Sequence, residues 1–166
     1  MGSTPTALHA TSLRGVTEWR AGVYLVQDLF QAAVASCGLE DIALSGLATV
    51  ISRDFERDRI VIDAGGLALS KDRSTAETAA DAGYGLVVDI SSAPSFGSLF
   101  VSNVHQEHGE IVGATPLPFD RLQLGAKVRV LPNHACMTAT MYGAYHVVDG
   151  AARHVTARWS RTTARR

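Results

Sequence analysis

With 166 residues, 46% of them hydrophobic, the chain can bury one compact core but falls short of the roughly 250 residues of a typical (β/α)8 barrel. A formal net charge of −1 leaves no electrostatic footprint for nucleic acid, and no run of about 18 apolar residues points to a membrane span. Two cysteines, Cys37 and Cys136, in unlike contexts argue against a disulfide framework. The N-terminus carries no basic stretch followed by an apolar one, so a soluble, cytoplasmic protein is expected.

In chain order, the first dozen residues are rich in Gly, Ser, Thr and Pro and read as a loop. Residues 16–28 hold Trp19, Val23, Tyr24, Leu25 and Val26, a β-prone stretch broken by Gly22, and 29–36 follow with a short helical pattern that Gly38 would end. Residues 42–51 and 59–62 are rich in Ile, Val, Leu and Thr on either side of a charged stretch, as in a hairpin, and Ala64-Gly65-Gly66 stops the second strand. Residues 74–82 read as a short helix, with Ser74 and Glu77 at capping-box spacing and Gly83 as the C-cap. Further strands are expected at 85–90, 98–104, 127–131, 145–148 and 155–159. Strands outnumber helices, and the expected class is mainly β, a β-rich α+β single domain with a few short helices. The tail from 151 to 166 carries Arg153, Arg158, Arg161, Arg165 and Arg166 without an acidic residue and reads as a solvated end.

The densest chemical signal is Leu131-Pro132-Asn133-His134-Ala135-Cys136, directly after an expected strand. A neutral imidazole and a thiolate are both good zinc donors. Two ligands do not close a tetrahedron, so such a site leaves positions to water, substrate or a donor from elsewhere. On spacing alone, buried Cys and hydrogen-bonded His of an ordinary core account for the pair more readily. Glu107-His108-Gly109 reads as a turn-stabilising group, and His9, His105, His146 and His154 as structural or exposed. Asp63 before Gly65-Gly66 lacks the context of a nucleotide loop and reads as a strand-ending turn. There is no G-x-S-x-G elbow.

The segment from Arg129 to Thr138 closely resembles the Pro-Asn-His-x-Cys stretch of the D-serine dehydratase and D-threonine aldolase family, followed as there by Tyr145-His146-Val147-Val148-Asp149-Gly150. Further matches stand in family order: Gly2-Ser3-Thr4-Pro5-Thr6, Thr17-Glu18-Trp19-Arg20 with Gly22-Val23-Tyr24, Ile60 to Gly65, Leu69-Ser70-Lys71-Asp72, and Glu107-His108-Gly109. The resemblance implies a pyridoxal-phosphate barrel followed by a β-rich domain that brings metal ligands to the cofactor, with His134 and Cys136 at the ligand positions. Zinc is the implied metal, since a cysteine in place of the aldolase-like aspartate marks the dehydratase-like branch.

Gly2 and Ser3 match the family's last phosphate-binding turn, which makes 1–14 a remnant of the (β/α)8 barrel edge and 15–166 the D-serine dehydratase-like β-domain. The lysine that forms the Schiff base is missing from the chain. Lys71 and Lys127 are the only lysines, and neither matches that position. The resemblance therefore implies β-elimination of a D-amino acid to a keto acid and ammonia, with the barrel supplied by the same polypeptide or by a second chain. Retro-aldol cleavage and a non-catalytic zinc-binding remnant are the alternatives. Dimerisation is left open, a homodimer being one arrangement.

Overall fold

The computed structural model describes residues 2–91, 95–113, 116–149 and 154–162. Six strands close into an antiparallel barrel: β1 (Gly46–Asp54), β2 (Arg59–Ile62), β3 (Gly85–Val88), β4 (Phe100–Val104), β5 (Gly109–Val112) and β6 (Lys127–Pro132), in the order β1-β2-β5-β4-β3-β6. Closure leaves no barrel edge unpaired. A separate two-stranded ribbon pairs β7 (Ala144–Val147) with β8 (Ala157–Ser160).

Alternation builds the core. In β1 and β2 every second side chain, Ala48, Val50, Ile60 and Ile62, points inward, and their register pairs Val50 with Ile62. Val87, Val101, Ile111, Val128 and Val130 complete the inner layer, with Leu69, Leu99 and Leu122 packed on it. The end of β6 departs from alternation: Val130, Leu131 and Pro132 are all buried. Leu131 and Val88 lie outside the barrel under a second cluster formed with Leu29 and Ile42, so both faces of the strand are covered where it leads into His134.

Among the described residues four short α-helices punctuate the strands: α1 (Thr4–His9), α2 (Leu29–Ala33), α3 (Gly66–Leu69) and α4 (Ala135–Thr140). The mainly β class expected from the sequence holds, as do the β1–β2 hairpin and the strands seeded at 85–90, 98–104, 127–131, 145–148 and 155–159. Among the described residues no helix is long and apolar enough to cross a membrane.

Several expectations are corrected. The first residues are not all loop: Ser3 caps α1, its side chain accepting from the Thr6 N–H at 3.4 Å, and Pro5 sits in the first turn. Residues 16–28 form no strand, only a single 3-10 turn at Val23–Leu25, because among the described residues no strand pairs with them; Trp19, Tyr24 and Leu25 are exposed. Helix α2 stops at Ala33 rather than at Gly38, with Ala35 at φ 55 just beyond. Residues 74–82 form turns, not a helix. There Thr75 Oγ1 takes the Ala82 N–H at 3.1 Å and Asp81 Oδ1 takes that of Gly83 at 3.0 Å, side-chain bonds that compete with a helical ladder. Strand β5 was not expected, and it begins within the Glu107-His108-Gly109 stretch. Gly150, Arg153, Arg165 and Arg166 lie outside the described residues.

The turn before β5 explains Gly65. A Cβ there would meet His108 N at 2.4 Å, His105 O at 2.6 Å and Gln106 O at 2.7 Å, all backbone atoms. The same turn accepts the Gly66 and Leu67 N–H groups on His105 O and Gln106 O, at 2.7 and 3.1 Å. Gly65-Gly66 is thus a close backbone crossing that seats α3. Gly65→Ala is expected to lower the unfolding free energy by about 1–3 kcal/mol in urea titrations. Gly143→Ala, where a Cβ would meet nothing within 4 Å, should leave the midpoint near that of the parent chain.

Candidate metal centre

β6 delivers Asn133, His134 and Cys136 to one end of the barrel, and buried polar groups fix that delivery. Asn133 is completely buried. Its Oδ1 accepts the Thr75 N–H at 3.1 Å, and its Nδ2 donates to Thr75 Oγ1 at 2.7 Å and to Gly83 O at 2.6 Å. Asp28, also buried, caps α2 by accepting the Gln31 N–H at 2.9 Å and with its other oxygen accepts the Ala135 N–H at 2.9 Å. Thr138 Oγ1 donates to Leu69 O at 3.0 Å, tying α4 to α3. The residues either side of His134 are therefore anchored to two different parts of the chain.

His134 sits at the N-cap of α4 with extended backbone, φ −135 and ψ 106, and its side chain makes no capping bond. The ring turns instead to Asp72: Nδ1 lies 2.7 Å from Asp72 Oδ2 and 3.4 Å from Ser74 Oγ, while Ser74 Oγ donates to Asp72 Oδ1 at 2.7 Å. Burial pushes the Asp72 carboxyl up, but hydrogen bonds from His134 and Ser74, together with the histidine's charge, outweigh it and hold the group below its ordinary value. Among the described residues Nε2 has no hydrogen-bond partner.

Cys136 lies in the first turn of α4, exposed and free, and Cys37 is free as well. Burial, then the Asp28 carboxylate, push the Cys136 thiol up, against a smaller opposing pull from its own backbone N–H. A metal that takes this sulfur must displace its proton.

His134 and Cys136 open onto a cleft of about 470 Å³ whose lining also includes Gly2, Ser3, Arg20 and Ser74. That volume lies within the range of small-molecule sites. The cleft thus gathers both expected ligand residues and both expected phosphate-end residues, which are far apart in sequence. Lys71 and Lys127 are not in its lining, and Lys127 Nζ donates to Thr49 Oγ1 at 2.6 Å. Glu107 and His108 lie elsewhere; that turn is closed by the His105 N–H on His108 O at 2.8 Å, and the carboxylate beside His105 Nε2 is Glu110, at 3.2 Å. His9, His146 and His154 are exposed.

Asp72, Ser74 and Asp28 are site residues that sequence reasoning missed. The Ser-Lys-Asp stretch was visible as a motif, but nothing local connects it to a histidine 62 residues on. Among the described residues no third His, Cys, Asp or Glu joins the pair to form a metal-binding group of three. A metal held by His134 and Cys136 alone would have two protein donors and open positions.

Residues 43–148 match the family described as "Putative serine dehydratase domain". The chain belongs to that family. Among its relatives, D-threo-3-hydroxyaspartate dehydratase of a Delftia species is 43% identical over 157 residues, which is 91% of this chain and 41% of that protein. D-serine dehydratase of Dictyostelium discoideum is 34% identical over 161 residues, 90% of this chain and 38% of the relative. The chain therefore spans about two fifths of the length of these serine dehydratase-domain proteins. An uncharacterized Mycobacterium tuberculosis protein is shorter: 31% identity over 130 residues covers 76% of this chain and 89% of that one. A solved structure of D-threo-3-hydroxyaspartate dehydratase with a histidine replaced by alanine aligns with a TM-score of 0.87 at 41% identity, over 97% of this chain and 42% of that one. Another, with a cysteine two positions further on replaced by alanine, is described as the metal-free form and aligns at 0.84.

Asn133→Ala leaves the buried Thr75 N–H and the Gly83 carbonyl without the partners that Asn133 supplies and removes one of the bonds to the Thr75 hydroxyl, which keeps the Ala82 N–H. It should cost about 2–3 kcal/mol of stability, read as a lowered midpoint in thermal or urea unfolding.

Proposed function

We propose that the chain is the metal-carrying β-domain of a pyridoxal-phosphate-dependent D-amino-acid dehydratase, with His134 and Cys136 as protein ligands of a zinc ion. The observation that carries this reading is the placement of both residues on one cleft, with His134 Nδ1 already engaged by Asp72 and Nε2 without a partner among the described residues. An imidazole and a soft thiolate suit zinc. The solved D-threo-3-hydroxyaspartate dehydratase structures support it: a histidine and a cysteine at the same two-residue spacing are the residues substituted in them, and one is described as a metal-free form, which implies that the enzyme uses a metal.

A zinc ion held by His134 and Cys136 would supply Lewis acidity toward the substrate's β-hydroxyl, and pyridoxal phosphate, held largely by another domain, would supply an electron sink. This chain's part is to present and orient. Asp28 and Asn133 hold the ligand segment rigid, and Arg20 in the cleft lining offers a guanidinium to a substrate carboxylate. The small residues Gly2 and Ser3 leave room for the phosphate end, so that residues 1–14 act as the last turn of a phosphate site and 15–166 as the β-domain. No lysine lines the cleft. The residues present therefore fit the metal and the phosphate end but not the cofactor's aldehyde, and no proton transfer at Cα is assigned to this chain. The lysine and the remaining cofactor contacts fall to a barrel, in the same polypeptide or in a partner.

The substrate class is a β-hydroxy D-amino acid, such as D-serine or D-threo-3-hydroxyaspartate, and the products are a keto acid and ammonia. Elimination is favoured over retro-aldol cleavage by the dehydratase names of the relatives and by the cysteine at position 136. A second reading, a metal-binding module without lyase chemistry, is favoured by the short mycobacterial relative, most of whose length this chain covers.

A chimera separates the two. Placing this chain in the matching portion of the Delftia dehydratase should give D-threo-3-hydroxyaspartate or D-serine turnover with pyridoxal phosphate and zinc. His134→Ala or Cys136→Ala should lower kcat roughly 100-fold or more, since a Lewis acid contributes several kcal/mol to the transition state. A chimera that folds and holds zinc yet turns over neither substrate would favour the module.

A further inference from the structure

We infer that Asp72 is a positioning residue that holds the His134 ring with its hydrogen on Nδ1 and its lone pair on Nε2, facing the metal; this inference rests on the zinc reading above. Two atoms lie against Nδ1, Asp72 Oδ2 at 2.7 Å and Ser74 Oγ at 3.4 Å. A carboxylate can only accept. The Ser74 hydrogen is committed to Asp72 Oδ1 at 2.7 Å, so toward the ring the hydroxyl can only accept as well. A nitrogen flanked by two acceptors carries the hydrogen, which in a neutral imidazole leaves Nε2 as the donor atom.

The arrangement is braced from both strands of chain. The Asp72 N–H donates to Ser70 Oγ at 3.1 Å, fixing the carboxylate's own loop. One residue before His134, Asn133 bonds both the N–H and the hydroxyl of Thr75, the residue that follows Ser74. The Asp72–Ser74 loop and the His134 segment therefore meet through two consecutive residues on each side, and the backbone that carries the ring cannot move away from Asp72 without breaking the buried bonds of Asn133. A carboxylate behind a ligating imidazole also makes the opposite nitrogen a stronger donor. This gives the Ser-Lys-Asp stretch a role that its lysine does not supply.

The test uses the full chain and two independent readouts, the nitrogen-15 spectrum of the His134 ring in the metal-free protein and zinc affinity by chelator competition. The parent chain should show the Nδ1–H tautomer. Asp72→Ala should mix the tautomers and weaken zinc up to about 100-fold, and Asp72→Asn, which keeps one acceptor oxygen but not the charge, should keep the tautomer and weaken zinc about 10-fold. Should the alanine variant fail to fold, the asparagine variant alone decides. An Nε2–H tautomer in the parent chain overturns the inference, as does zinc bound by the folded Asp72 variants as tightly as by the parent. A parent chain that shows the Nδ1–H tautomer but binds no zinc would instead overturn the metal reading and leave the ring's orientation standing.

Discussion

The buried carboxamide of Asn133 joins the barrel to its chemistry. It sits where β6 ends, covered on both faces, and binds the loop before β3 through Thr75 and Gly83. A buried amide with fewer partners would destabilise the fold, so the three bonds and the path of the chain through His134 are fixed together. The inner layer of Val and Ile side chains sets where β6 ends, and Asn133 sets how the chain leaves it. Asp28 then clamps the first turn of α4 from the other side through the Ala135 N–H. What is presented between these clamps is one imidazole and one thiol.

On the zinc reading proposed above, that presentation is half of a site, in a defined sense. Two protein donors leave a tetrahedral ion with positions for substrate or water, which suits a Lewis acid and does not suit a closed structural zinc. Two carboxylates lie close by: Asp72 bonds the His134 ring, and the Asp28 charge acts on the Cys136 thiol. The Asp28 charge that raises the free thiol's proton affinity is the same charge that a bound cation would offset. The cleft also collects Gly2 and Ser3, far in sequence from His134 and Cys136. The family's longer members, of which this chain spans about two fifths, have the length to supply one.

Much of the barrel was legible from residues alone. The β1–β2 hairpin announces itself through alternating Val50, Ile60 and Ile62 about a charged turn, and β6 through its run of Val and Leu. β5 was not legible because it offers a single buried branched side chain, Ile111; its partners β2 and β4 make it a strand. The opposite error arose at 16–28, where β-prone residues have no ladder to join among the described residues and Trp19, Tyr24 and Leu25 stay exposed. At 74–82 a real capping spacing lost to side-chain bonds from Thr75 and Asp81. For the site, spacing alone rated His134 and Cys136 poorly, and the resemblance singled them out. Asp72 was hidden because its contact with His134 exists only after β6 and the loop following α3 have packed together.

The most direct test of the account is the absorption spectrum of the metal-free chain titrated with cobalt(II), in parent, His134→Ala and Cys136→Ala forms. The account predicts a thiolate-to-cobalt charge-transfer band that saturates at one equivalent in the parent, is displaced by zinc, and is lost in both variants. No band in the parent, or a band that survives Cys136→Ala and so belongs to Cys37, would contradict it.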